Sequence, residues 1–173
     1  LEQKGANIYY EQNGKNFNKN IDLVVSTVSI PAENGDLKKA QELGMPMMTY
    51  PEIIGLISGS MKTIAVSGTH GKTTTTAMLS RVLFETEISP TVIVGSTLLD
   101  QNTNFIKGKG EYLLIEADEY KKSFLNLNPR YLIITNIDED HLDFYKDLAD
   151  IQNTFIELVK KIQQSEKYSV TSD

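Results

Sequence analysis

A chain of 173 residues that is 40% hydrophobic and 23% charged holds enough apolar material for one ordinary domain or parts of two, and is not disordered in composition. Its net charge of −6 argues against nonspecific binding to nucleic acid or anionic membrane, and no apolar run approaches the roughly 20 residues that span a bilayer. The absence of cysteine excludes disulfides, thiolate metal sites and cysteine nucleophiles and fits a reducing, cytoplasmic setting, and the opening Leu1-Glu2-Gln3-Lys4-Gly5 holds no signal peptide.

Short apolar runs alternate with helical patterns along the chain, as in an α/β protein with a parallel sheet and flanking helices. Residues 8–10 and 23–26 are expected strands, 36–43 a helix closed by Gly44, 46–48 a strand and 51–57 a short helix. The small pair Gly59-Ser60 is the expected boundary, dividing 1–59 from 60–173. Beyond it, strands are expected at 63–66, 91–94, 112–116, 131–135 and about 168–171, with a polar, glycine-bearing loop at 102–110. The clearest helix is 147–163, where Leu148, Ile151, Phe155, Leu158, Val159 and Ile162 share one face and Asp147 with Asp150 resembles a capping box.

The run Ser67-Gly68-Thr69-His70-Gly71-Lys72-Thr73-Thr74 carries the most chemistry, because a buried strand delivers it and a helix should start at about Lys72. Gly68 and Gly71 allow backbone N–H groups to converge on a phosphate, the helix N-terminus adds a positive dipole, and Lys72 adds a full charge. Thr73 puts a hydroxyl where a phosphate-bound magnesium ion needs an oxygen ligand, so the run points to a nucleoside triphosphate. Val66 stands where the general G-x-x-x-x-G-K-[ST] pattern has its first glycine, which leaves a shorter loop. Ala77, Met78, Val82 and Leu83 are expected to form the apolar face of the following helix.

Two further strands end in chemistry-bearing segments, Glu116-Ala117-Asp118-Glu119 and Thr135-Asn136-Ile137-Asp138-Glu139-Asp140-His141. An isolated acid at a strand exit is usually solvated, and Asp118 and Glu119 carry less weight here than Glu116. However, the chain has only two histidines, His70 and His141, and both lie in these strand-end segments. Ligands of open parallel sheets bind outside the carboxyl ends of strands, so the coincidence favours a functional cluster. Carboxylate, imidazole and the Thr73 hydroxyl together would make a mixed oxygen and nitrogen shell for a divalent cation.

These residues, from Gly68 through the four threonines Thr73 to Thr76, the Glu116-Ala117-Asp118-Glu119 run, and Thr135-Asn136-Ile137 with Asp140, His141 and Asp143, closely resemble the Mur ligases of peptidoglycan synthesis. The loop histidine and the Glu-Ala-Asp-Glu run resemble the branch that joins L-alanine to UDP-N-acetylmuramate, or its relative that attaches a recycled tripeptide to the same nucleotide sugar. The compact segment Phe124-Leu125-Asn126-Leu127-Asn128-Pro129 favours the alanine branch, and the same two features disfavour the more distant folylpolyglutamate synthetases. The resemblance implies that 60–173 is an incomplete ATP-binding P-loop domain and 1–59 the end of a Rossmann-like UDP-sugar domain, with residues 26–34 resembling its uridine-side loop.

The implied reaction is ATP-dependent: the sugar carboxylate takes the γ-phosphoryl group, and an amine displaces phosphate from the acyl phosphate. Lys72 would neutralise the β/γ-phosphates while the amides of Gly68, Thr69, His70 and Gly71, with Thr74 beside them, cradle them. Thr73 and Glu116 would hold one Mg2+, His141 a second, and Asn136 would give polar support. The family's glycine-rich diphosphate motif and its closing C-terminal domain have no counterpart in the 173 residues. Alone they are expected to turn over little, and a nonenzymatic ATP-binding module is the competing reading. Oligomeric state has no signature in this sequence.

Overall fold

Two sheets carry the chain in the computed structural model, which describes residues 2–17, 20–98, 102–163 and 168–171. They lie in separate units, Leu1–Ile53 and Ile54–Asp173. In the first, β1 (Val24–Ser26) and β2 (Met47–Thr49) pair in parallel, with α1 (Gly35–Glu42) between them in sequence. Asn34 starts α1 by accepting from the Asp36 and Leu37 N–H groups at 2.9 and 3.2 Å. Gly44 ends it at φ 63°, where its N–H bonds the Gln41 carbonyl and that of Met45 bonds Ala40, both at 3.0 Å.

The strand expected at 8–10 does not form. Ile8, Tyr9 and Tyr10 are exposed and pair with no strand among the described residues, so their β-propensity has no ladder to act through. The Gly59-Ser60 break differs as well: α2 (Tyr50–Ser60) runs through it, and the division between units falls at Ile53 and Ile54. Gly59 and Ser60 are exposed in the last turn of α2, and the close packing lies one turn earlier, at Gly55 and Ser58. A Cβ on Gly55 would strike the Asn126 carbonyl, and Ser58 Oγ accepts from the Asn128 N–H at 2.9 Å.

The second unit comprises β3 (Lys62–Ser67), α3 (Lys72–Phe84), β4 (Thr91–Leu98), β5 (Thr103–Ile106), β6 (Tyr112–Glu116), β7 (Tyr131–Ile134), α4 (Leu148–Gln163) and β8 (Tyr168–Thr171). The sheet order is β5-β4-β6-β3-β7-β8, parallel except for β5. The loop expected at 102–110 therefore contains a strand: β4 extends past residue 94, and Thr103, Phe105 and Ile106 return along it antiparallel. Four residues of weak alternation at a sheet edge leave little signal in sequence.

The parallel strands and α3 enclose Val66, Val92, Val94, Leu98 and Leu114, with Ala77, Leu79, Leu83 and Phe84 packed against them. Met78 and Val82, expected on the buried face of α3, are 66% and 62% exposed, while Thr76 and Ser80 are buried. The start of the helix explains the rotation. Thr73 faces β6, so Thr76, Ala77 and Ser80 follow on that side at helical spacing. Their hydroxyls are satisfied within the helix, Thr76 donating to the Lys72 carbonyl at 2.8 Å and Ser80 to Ala77 at 2.7 Å.

On the expected face of α4, Ile151, Phe155, Leu158 and Ile162 are buried and Leu148 and Val159 half-buried, with the Phe155 ring edge-on to Phe124 at 5.0 Å. Asp147 caps the helix by accepting from the Asp150 N–H at 2.9 Å, but Asp150 reaches back to the Lys146 N–H at 3.3 Å, one residue short of a full capping box. Phe155→Ala should cost about 3–5 kcal/mol in urea unfolding, whereas Met78→Ala should stay within about 0.5 kcal/mol.

Candidate functional site

Strand β3 lies between β6 and β7, with Val66 opposite Glu116 and Ser67 opposite Ile134. Its exit turn therefore emerges between the other two strand ends. The turn is held from the β7 side. The Thr69 N–H bonds the Asn136 carbonyl at 3.1 Å, and the Asn136 side chain spans the His70 backbone, accepting from its N–H at 2.9 Å and donating to its carbonyl at 3.0 Å. Thr69 Oγ1 accepts from the Asp138 N–H at 2.9 Å, and Thr135 Oγ1 donates to the His70 carbonyl at 2.6 Å. Gly68 is needed where this clamp closes, since its φ is 129° and a Cβ would collide with Thr135 Oγ1.

This clamp changes which amides meet an anion. Those of Thr69 and His70, expected in the cradle, are already taken by Asn136, and the His70 side chain is exposed. Helix α3 begins at Lys72 with Gly71 as its N-cap at φ 81° and no side-chain cap. The first N–H groups of a helix have no intrahelical partner, so the donors suited to an anion are those of Lys72, Thr73 and Thr74.

On the β6 side, Thr73 Oγ1 donates to Glu116 Oε1 at 2.8 Å, and Glu116 Oε2 accepts from the Gly95 N–H at 2.9 Å. The expected Thr73 and Glu116 pair is thus together. His141 stands beside Glu119, with Nε2 3.6 Å from Oε1, and its other nitrogen is 3.9 Å from Asp140. Its φ is 53°, and Tyr120 lies against its ring at 4.7 Å while donating its hydroxyl to Asp143 at 2.8 Å. Asp118, Glu119 and His141 can each turn a ligand atom to within 4.8 Å of the others, a second set of donors suited to a cation.

Glu119, given little weight in the sequence, is the most enclosed charge at the site at 2% exposure. Both of its oxygens accept from Lys72 Nζ, at 3.0 and 2.9 Å. Its carbonyl accepts from the Lys122 N–H at 2.9 Å and the Tyr145 hydroxyl at 2.5 Å, and burial pushes that phenol up to about 12. Burial likewise raises the Glu119 carboxyl above its usual range, against the lowering pull of the Lys72 hydrogen bond. A strand-exit acid carries no sequence signal of this. Gly95 did leave one, because an isolated glycine inside a strand marks close approach, and a Cβ there would stand 3.2 Å from Glu116 Oε1.

Two outcomes follow. Gly68→Ala should destabilise the protein by more than about 1 kcal/mol in urea unfolding, through left-handed strain and the collision with Thr135. Because folding raises the Glu119 pKa, its contribution is present in acid and is lost as pH rises from the ordinary carboxylate range through the raised value. Thermal melts from about pH 4 to pH 8 should therefore show Glu119→Gln gaining on the parent protein as pH rises.

The Mur ligase middle domain family matches residues 66–173. A UDP-N-acetylmuramate–L-alanine ligase of Clostridium novyi is 46% identical over the whole chain, which spans 38% of that relative. The crystal structure of a UDP-N-acetylmuramate–alanine ligase from Thermotoga maritima superposes with TM-score 0.84 at 31% identity, covering 98% of this chain and 39% of that one. A ligase of UDP-N-acetylmuramate with L-alanyl-γ-D-glutamyl-meso-diaminopimelate from Neisseria meningitides gives TM-score 0.77 at 26% identity, over 87% of this chain and 52% of that one. Matched in sequence over most of its second unit and in structure over nearly its whole length, this chain belongs to the Mur ligase family.

Proposed function

We propose that the protein carrying this chain is an ATP-dependent ligase that joins L-alanine to the carboxylate of UDP-N-acetylmuramate, in cytoplasmic peptidoglycan synthesis. One observation carries the ATP reading: an ammonium, helix-terminal amides and a hydroxyl–carboxylate pair stand around one turn at the ends of β3 and β6. A triphosphate with a divalent cation needs that set of groups. In this reading the second unit, Ile54–Asp173, binds ATP and the first, Leu1–Ile53, ends the UDP-sugar domain. L-alanine as the amine is supported by the 46% identity to the Clostridium novyi relative, against 26% to the tripeptide ligase structure.

Thr73 Oγ1 and Glu116 Oε1, 2.8 Å apart, are hard oxygen donors that fit Mg2+, and His141 adds an imidazole that a second divalent cation accepts. Bound there, the ions would offset charge on the transferring phosphoryl group. The residues of the chain supply alignment. The N–H groups of Lys72, Thr73 and Thr74, at the positive end of the helix dipole, would hold the phosphates, Asn136 fixes the turn that presents them, and Lys72 would neutralise the β/γ-phosphates. A carboxylate is a poor acylating agent, so phosphorylation converts its oxygen into a leaving group. The amine then adds to the acyl carbon and expels phosphate, which leaves the amide.

Lys72→Ala in the full-length protein should abolish UDP-N-acetylmuramate-dependent phosphate release with L-alanine. The same assay with L-alanyl-γ-D-glutamyl-diaminopimelate separates the two amines, and preference for the tripeptide would overturn the alanine assignment. Phosphate release that survives Lys72→Ala would overturn the ATP site.

A further inference from the structure

Lys72 presents a conflict within the site. An ammonium has three N–H donors and no acceptor. Here Nζ meets the Gly68 carbonyl at 2.6 Å, the Thr69 carbonyl at 3.1 Å and the two Glu119 oxygens at 3.0 and 2.9 Å. Four oxygens of the protein consume the three donors, so an incoming phosphate must displace at least one. The carboxylate is the partner that resembles a phosphate, being anionic and able to offer two oxygens at hydrogen-bonding distance.

Glu119 is built to stay in place. Its side chain is 2% exposed, and the Tyr145 hydroxyl and the Lys122 N–H fix its carbonyl. Two and three residues on, Lys121 and Lys122 hold left-handed backbone at φ 51° and 57°, a costly conformation that persists only where its surroundings enforce it. The carboxylate also lies 3.6 Å from His141 Nε2. One rigid anion therefore touches both the lysine at the turn and the histidine after β7.

We propose that Glu119 is a positioning residue that acts as an internal phosphate surrogate. It holds Lys72 in a closed arrangement when no nucleotide is present and yields it to the triphosphate, while keeping His141 in place on the far side. The proposal rests on the ATP reading above. Its consequence is an opposed effect on binding and turnover. Removing the carboxylate frees Lys72 for the phosphates, so nucleotide binds more tightly. It also removes the anchor shared by Lys72 and His141, so turnover falls. A residue that merely maintained the fold would weaken both.

The test is equilibrium binding of ATP with Mg2+ and steady-state ligation in the full-length protein, for the parent, Glu119→Gln, Lys72→Ala and the double variant. Glu119→Gln should lower the Kd and KM for ATP by about tenfold and lower kcat by at least as much. In the Lys72→Ala background the tightening should vanish, because the surrogate then has no ammonium to compete for. Unchanged or weaker binding by Glu119→Gln, or equal tightening with and without Lys72, would overturn the proposal. If Glu119→Gln fails to fold, Glu119→Asp draws the carboxylate back by one methylene. A lowered Kd then supports the surrogate role, and an unchanged or raised Kd contradicts it. A parent protein that binds no ATP would instead refute the ATP reading, so the two failures are distinguishable.

Discussion

The Gly68 to Thr74 turn has no core of its own, and the site depends on what its neighbours lend it. Because β3 is flanked by β6 and β7, one turn receives Glu116 and Glu119 from one side and Asn136 from the other. A parallel sheet produces this convergence without further design, since all three strands end at the same edge. If β3 were moved to an edge position, half of these contacts would go.

The turn then divides its backbone donors between two tasks. Thr69 and His70 spend their amides on Asn136, which fixes the loop's shape. The amides that open α3 remain for an anion, backed by the helix dipole. Rigidity and recognition are thereby assigned to different residues of one short segment. The same geometry sets the rotation of α3: Thr73 is turned to Glu116, so hydroxyl side chains face the sheet and Met78 and Val82 face solvent.

Much of this was legible in the sequence. The strand before Gly68, the helix from Lys72, the three strand ends and the amphipathic α4 each follow from a period or a motif that local chemistry imposes. The pairing of Thr73 with Glu116 followed from strand ends of one parallel sheet. What escaped has a common cause. Glu119 and the buried face of α3 are decided by the direction in which a side chain points once the sheet is assembled, which no spacing encodes. The Gly59-Ser60 pair resembles a break because small residues mark linkers, yet both residues complete the last turn of α2 and the units divide at Ile53 and Ile54. The strand at 103–106 exists because β4 offers it an edge, a property of the partner rather than of the segment.

The most direct measurement of the central claim is backbone amide hydrogen exchange across residues 68–76 in the full-length protein, with and without ATP and Mg2+. The account requires nucleotide to slow exchange at Lys72, Thr73 and Thr74, while His70, already bonded to Asn136, is protected in both states. Protection that appears at His70 and Thr69 on nucleotide binding, with Lys72 to Thr74 unaffected, would contradict it.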